Sequence, residues 1–158
     1  MKTLPLTNGL FAAVDDGDYD WLSSWKWQSF VCKCGHTYAR RNDLTGPSQR
    51  TVLMHRVIVN APPEVHVDHK DGNGLNNQRE NLRLCNRSQN MSNRQVHKNN
   101  KLRIKGVKKT RAGHFQARIQ SGKMPVHLGT FNTEAEAKKA YNEAAIALHG
   151  SFARLNEV

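Results

Sequence analysis

From Asn81 to Thr133 the chain contains no aspartate or glutamate, while Arg83, Arg87, Arg94, Lys98, Lys101, Arg103, Lys105, Lys108, Lys109, Arg111, Arg118 and Lys123 all fall there. Charges of one sign cannot pair among themselves, so such a stretch must spread them over a surface or offer them to an external anion. The acids lie elsewhere, with Asp15, Asp16, Asp18 and Asp20 clustered near the start, and the net charge is +11 over 158 residues. A basic tract without acids is the footprint of a phosphate-binding surface. Residues 94–105 (RQVHKNNKLRIK) read equally well as a solvated basic linker, and a linker that tracks a nucleic-acid backbone is basic for the same reason.

A chain of this length accommodates one domain or two small ones, each with a modest core. No stretch approaches the roughly 20 apolar residues of a membrane span, and MKTLPLTNGLF lacks the basic start and apolar run of a signal peptide. The expectation is a cytoplasmic protein with no membrane partner and no small-molecule substrate. Cys32, Cys34 and Cys85 are too few and too unevenly placed for a disulfide framework. With His36 they could supply four zinc ligands, but one residue between Cys32 and Cys34 is short of the usual spacing, and CKCGH also reads as a hairpin turn bending at Gly35.

The first half has short apolar and aromatic pieces, broken by Asn8-Gly9 and DDGDYD, which predict short strands with a helical turn over residues 20–25. Trp25, Trp27 and Ser29 alternate with Lys26, Gln28 and Phe30, and residues 37–41 read as a returning strand. Leu53, Val57 and Ile58 sit at helical spacing ahead of Pro62-Pro63. In the second half GVKKT, HFQARIQS and PVHLGTF read as three strands, separated at Gly113 and at Ser121-Gly122-Lys123. Thr133 and Glu136 form a capping box opening a helix whose stripe is Ala137, Tyr141, Ala144 and Leu148, with Gly150 ending it.

Between the halves lies VDHKDGNGLNNQRENLRLCNRSQN, residues 67–90. A strand ending in Asp68-His69, a sharp turn through Asp71-Gly72-Asn73-Gly74, a returning strand over residues 82–85 and a helix capped by Ser88 and running to Arg94 can bring Asp68, His69 and Asn90 together. Asn73, Asn76 and Asn77 read as turn formers, and His55 and His66 as packing or surface histidines. Adjacent strand residues point to opposite faces, so Asp68 and His69 can share one phosphate only if the strand ends or twists there.

The spacing of Asp68-His69, Asn81 and Asn90, with the flanks PLTNG, AAVDDGDYDWL, WKW and LMHRVI, resembles the HNH nucleases of ββα-metal (His-Me finger) fold, particularly phage and intron-encoded homing endonucleases. GVKK, FQARI, HLGTF, the helix EAEAKKAYNEAAIALHG and the terminal Ala153 and Asn156 resemble the AP2 DNA-binding domain. The resemblances imply an α+β chain: a nuclease domain over residues 1–95, a basic linker over 96–104 and an AP2-like domain over 105–158, three antiparallel strands packed on one helix.

They further imply a site-specific DNA endonuclease. His69 would be the general base, and Asp68 and Asn90 would hold one divalent ion per active site. Hard oxygen donors suit Mg²⁺ or Mn²⁺. Asn81 would brace the loop that carries His69. Many HNH proteins carry histidine where this chain has Asn90, while the homing branch uses asparagine. Lys108, Thr110, Arg118, Gln120 and His127 would face base edges, opposite Val107, Phe115, Ala117, Ile119 and Leu128. Lys109, Arg111, Lys123, Arg83, Arg87 and Arg94 would meet phosphates. The partner is double-stranded DNA, nicked by a monomer or weak homodimer, in a host cytoplasm if the chain is phage-encoded. The alternative is a sequence-specific DNA-binding regulator with an inactive HNH unit; an RNA-binding protein fits less well, since no RNP-like aromatic pair is present.

Overall fold

The computed structural model describes residues 1–32, 35–46, 48–96, 99–122 and 124–157, so Cys34, Lys98 and Lys123 lie outside the described residues. The chain divides into two compact units, Met1–Asn86 and Arg87–Val158. Both mix α and β structure, in several small antiparallel sheets with few helices.

In the first unit β1 (Lys2–Pro5) pairs with β2 (Phe11–Val14), and α1 (Asp16–Ser23) follows. The helix starts earlier than the turn predicted over residues 20–25. Asp15 takes the extended N-cap conformation, and Asp16 and Asp18 in the first turn favourably meet the positive end of the helix dipole. Next come β3 (Gln28–Val31), β4 (Thr37–Asp43) and β5 (Arg50–Leu53), a three-stranded sheet with β4 in the centre, and then the short α2 (Met54–Ile58). The hairpin turn before β4 closes through Cys32 N–H donating to the His36 carbonyl at 2.8 Å. Trp27 precedes β3 rather than lying within it; it is buried, its indole N–H donating to the Leu22 carbonyl at 2.8 Å, while Trp25 is exposed. The last hairpin of this unit is β6 (His66–His69) against β7 (Leu82–Cys85).

The core of this unit gathers Leu4, Leu6, Ala12, Val14, Leu22, Trp27, Ala39, Met54, Ile58 and Leu82. Alternate residues of β1 and β2 turn inward, and the burial of each large side chain contributes roughly 1.5–3 kcal/mol.

The second unit opens with α3 (Arg87–Ser92), which begins before Ser88 and ends before Arg94. Ser88 therefore lies within the helix, not at its cap. Arg94 N–H bonds the Met91 carbonyl, a tightened closing turn, and buried Asn93 follows the helix. Lys105 Nζ donates to the carbonyls of Ser92 and Arg94, tying the end of α3 to the start of the sheet. Burial pushes the Lys105 ammonium down to about 8, with Arg154 and Arg94 acting in the same direction.

β8 (Val107–Lys109), β9 (Phe115–Ser121) and β10 (Met124–Phe131) form the sheet, with β9 in the centre. Val107, Ala117 and Ile119 turn to α4 (Glu134–His149), and Lys108, Arg118 and Gln120 are exposed. The capping box is present: Thr133 Oγ1 accepts from Glu136 N–H, and Glu136 accepts from Thr133 N–H. The buried stripe of α4 is Ala137, Tyr141 and Ala145, not the predicted set ending at Leu148. Steps of four residues keep this stripe on the sheet, and Leu148, near the helix end, is exposed.

Gly106 adopts φ +72°, and a Cβ there would enter the Tyr141 ring and lie 2.6 Å from the Arg118 carbonyl oxygen. Gly106→Ala therefore combines backbone strain with a steric clash, and is expected to destabilise the second unit by about 1–3 kcal/mol or more. A melting temperature unchanged from wild type in calorimetry would contradict this packing.

Candidate active site

β6 and β7 are paired in register, with Asp68 opposite Arg83 and His69 opposite Leu82. The chain between them turns on one carboxylate. Asp71 Oδ1 accepts from Asn73 N–H at 2.8 Å and from Asn81 Nδ2 at 3.0 Å, and Asp71 Oδ2 accepts from Asn76 Nδ2 at 2.8 Å. Asn81 spans the loop: its Oδ1 accepts from Asp71 N–H at 3.1 Å, and its Nδ2 also donates to the Asn76 carbonyl at 2.8 Å. Partial burial pushes the Asp71 carboxyl up, but the hydrogen bonds from Asn73, Asn76 and Asn81 outweigh it and hold the group below the usual carboxylate range.

The loop is fastened to the N-terminal segment. Ala13 N–H donates to the Leu75 carbonyl at 2.9 Å and its carbonyl accepts from Asn77 N–H at 2.8 Å. Arg79 N–H donates to Asp15 Oδ2 at 2.8 Å, and the Arg79 guanidinium forks onto buried Asp18, Nε to Oδ2 at 2.7 Å and Nη2 to Oδ1 at 2.8 Å. The Arg79 hydrogen bond holds the Asp18 carboxyl below its ordinary value against the opposing effect of burial, with help from the Trp21 indole. The acidic cluster near the start of the sequence is thus partly a clasp for this loop.

Asp68 and His69 are both buried, at 6% and 5% exposure. His69 is the last residue of β6, the point at which the chain leaves the ladder. Its ring lies 5.0 Å from that of His55, edge-on, and 5.8 Å from Tyr38, with Tyr38 itself 5.4 Å from His55. Burial lowers the His69 pKa; an Asn77 hydrogen bond and the carboxylates of Asp71 and Asp68 oppose this, His36 adds to it, and the balance is a lowered value. Neutral imidazole, able to accept a proton, is the form this environment favours at pH 7. Asp68 Oδ2 receives the Arg83 guanidinium, Nε at 2.8 Å and Nη2 at 2.7 Å.

No local sequence pattern marks Tyr38, His55 or Asn77 as site residues. Tyr38 sits on β4 and His55 on α2, so only the fold brings them to His69. Burial, with the Asp68 charge adding, pushes the Tyr38 hydroxyl up. A Cβ on Gly74 would meet the Tyr38 ring at 2.6 Å, so the loop passes closely against that ring. Asn77, read as a turn former, is fully buried. His55, read as a packing or surface histidine, packs on the His69 ring; no local pattern distinguishes the two roles.

Asn90 is half-buried on α3 in the second unit. Arg83, expected to meet phosphates, is held against Asp68. Arg87 and Arg94 are exposed. On the sheet Lys108, Lys109, Arg118, Gln120 and His127 are exposed, and in the β8–β9 turn Thr110 is half-buried and Arg111 exposed. Arg118 pairs with His127 across β9 and β10, and the register shifts at Leu128 before Gly129 pairs with Ala117. Among the described residues no three His, Cys, Asp or Glu side chains converge as a metal cluster. Cys85 is buried and free, and burial raises its thiol. Among the described residues no helix is long and apolar enough to cross a membrane.

Residues 52–92 match the family model described as HNH endonuclease. The chain is 32% identical over 152 residues, 95% of its length, to an uncharacterised HNH endonuclease of Acanthamoeba polyphaga mimivirus, of which it covers 76%. It is also 34% identical over 84 residues, 52% of its length, to an ethylene-responsive transcription factor of Medicago truncatula, of which it covers 31%. A third relative, an ethylene-responsive transcription factor of Arabidopsis thaliana, is 43% identical over 61 residues, 37% of this chain and 24% of that protein. No solved structure matches.

Burial, with His69 and Arg56 adding, pushes His55 down to about 3. Unfolded, it titrates near 6.5, so between pH 6.5 and about 3 the unfolded chain binds a proton that the folded chain refuses. The stability due to neutral His55 is complete above that window and lost as pH falls through it, at up to about 1.4 kcal/mol per pH unit. Urea midpoints should fall across this range, and fall less steeply in His55→Gln.

Proposed function

We propose that this chain, which belongs to the HNH endonuclease family, is a metal-dependent, site-specific DNA endonuclease that nicks one strand per active site. The observation that carries the reading is the placement of His69: buried at a strand end, favoured as neutral imidazole, beside the carboxylate of Asp68. Hydrolysis of a phosphodiester needs a proton acceptor for the attacking water and a cation for the charge that develops on phosphate and leaving oxygen. His69 is the acceptor in this scheme. Asn81 keeps the loop closed through its bonds to Asp71 and Asn76, and so fixes where His69 ends.

The donor chemistry fits a hard cation. Asp68 supplies a carboxylate oxygen and Asn90, from α3, would add an amide oxygen. Mg²⁺ commonly takes only one or two protein carboxylates, the rest being water and phosphate, so a converged cluster of protein ligands is not required. Bound there, Mg²⁺ or Mn²⁺ would neutralise charge on the phosphate; one ion per site suffices. Cysteine ligands play no part in this scheme.

DNA is the partner that the +11 charge and the exposed cations of the second unit suit. In this reading residues 1–95 cut, 96–104 link and 105–158 dock as an AP2-like domain, and the partial likeness to plant ethylene-responsive transcription factors supports the last step. Lys108, Thr110, Arg118, Gln120 and His127 read bases, while Lys109, Arg111, Lys123, Arg83, Arg87 and Arg94 meet phosphates.

Supercoiled DNA carrying the parent genome's sequence, incubated with Mg²⁺, Mn²⁺ or EDTA, tests the proposal. Metal-dependent nicking is expected, reduced roughly 10²–10⁴-fold in His69→Ala. Binding without cleavage in any metal would instead favour a regulator with an inactive nuclease unit. In a binding assay on the preferred site Arg118→Ala should cost about 1–3 kcal/mol and relax base preference, whereas Lys109→Ala should weaken all sequences alike.

A further inference from the structure

Among the described residues of the first unit, two arginine–aspartate pairs have similar length and different construction. Arg79 closes both oxygens of Asp18 in a fork, Nε on Oδ2 at 2.7 Å and Nη2 on Oδ1 at 2.8 Å. Arg83 brings Nε and Nη2, at 2.8 and 2.7 Å, onto Oδ2 of Asp68. The fork is the geometry that two planar groups adopt when the pair is an end in itself. In the second arrangement two guanidinium nitrogens converge on one carboxylate oxygen.

Burial sharpens the difference. The Arg79 side chain is 56% exposed, whereas the Arg83 side chain is 14% exposed and Asp68 is 6% exposed. An anion withdrawn from water to this degree is costly unless a cation stands beside it. The ladder supplies that cation, since Arg83 is the cross-strand neighbour of Asp68 on the same face of β6–β7. A divalent ion on Asp68 would meet this guanidinium within a few ångströms, and two cations competing for one carboxylate repel.

We propose that Arg83 is the counter-ion that holds Asp68 until a divalent cation displaces it, and that Arg83 thereby sets the metal affinity of the site. This rests on the nuclease reading, which assigns Asp68 to the metal. Arg83 is a positioning residue here: it acts on the carboxylate, and becomes available to a substrate phosphate only after release.

The test is Mn²⁺ binding to the full chain, followed by calorimetry and by the electron paramagnetic resonance of unbound Mn²⁺. Arg83→Gln should bind Mn²⁺ roughly 10-fold more tightly than wild type, within the usual range of coupling between sites, and Arg50→Gln, at an exposed cation on β5, should leave the affinity unchanged. Equal or weaker binding by folded Arg83→Gln overturns the proposal. Should that variant not fold, wild type labelled with ¹⁵N serves. On Mg²⁺ titration the Arg83 Nε–H signal should shift and exchange faster with water while that of Arg79 stays in place; an unmoved Arg83 signal overturns the proposal equally. Nicking separates the two readings. Wild type that binds Mn²⁺ yet never nicks removes the nuclease reading, whereas His69-dependent nicking with the same half-saturating metal concentration in wild type and Arg83→Gln removes the counter-ion role.

Discussion

Burying Asp68, His69, Asn77 and Asn81 beside a small apolar core is the constraint that the first unit answers to. Buried polar groups are tolerated when hydrogen bonded or charge-matched, and each match fixes a piece of backbone. Arg83 on Asp68 fixes the β6–β7 register. Asn81 on Asp71 and Asn76 fixes the loop between those strands. Tyr38 and His55 enclose His69 from two other elements, which ties the hairpin to β4 and α2.

Charge is used in two ways along the chain. Asp15 and Asp18 turn inward to hold Arg79, so much of the acid in the N-terminal segment is spent within its own unit. The acid-free stretch, by contrast, presents most of its cations to solvent, with Arg83 and Lys105 the half-buried ones among the described residues. One is engaged by a carboxylate and the other by carbonyl oxygens. A fold that matches its own acids internally and leaves lysines and arginines outward is suited to a polyanion.

Much of this was legible in the sequence because it is local. The capping box at Thr133, the three strands of the second unit and the returning strand over Leu82–Cys85 follow from periodicity and turn chemistry within a few residues. The start of α1 was missed because aspartates read as loop, whereas in a first helical turn they meet the helix dipole. Leu148 continues the helical spacing of Ala137, Tyr141 and Ala144, but it lies one residue from the end of α4 and is exposed. Of the site, Asp68-His69 and Asn81 stand out by spacing. Tyr38, His55 and Asn77 do not, since what distinguishes them is proximity to His69 across elements distant in sequence. The inward turn of Arg83 was hidden for the same reason: an arginine in a basic tract reads as solvent-facing until its cross-strand neighbour is known.

The alternation along β9 has an evolutionary consequence. Ala117 and Ile119 hold the sheet to α4, while Arg118 and Gln120 between them point away from that core. Exchanges at the outward positions leave the packing untouched and cost little stability. Lineages of such chains can therefore drift in what their sheet touches, one outward residue at a time, while inheriting the same scaffold and the same buried histidine.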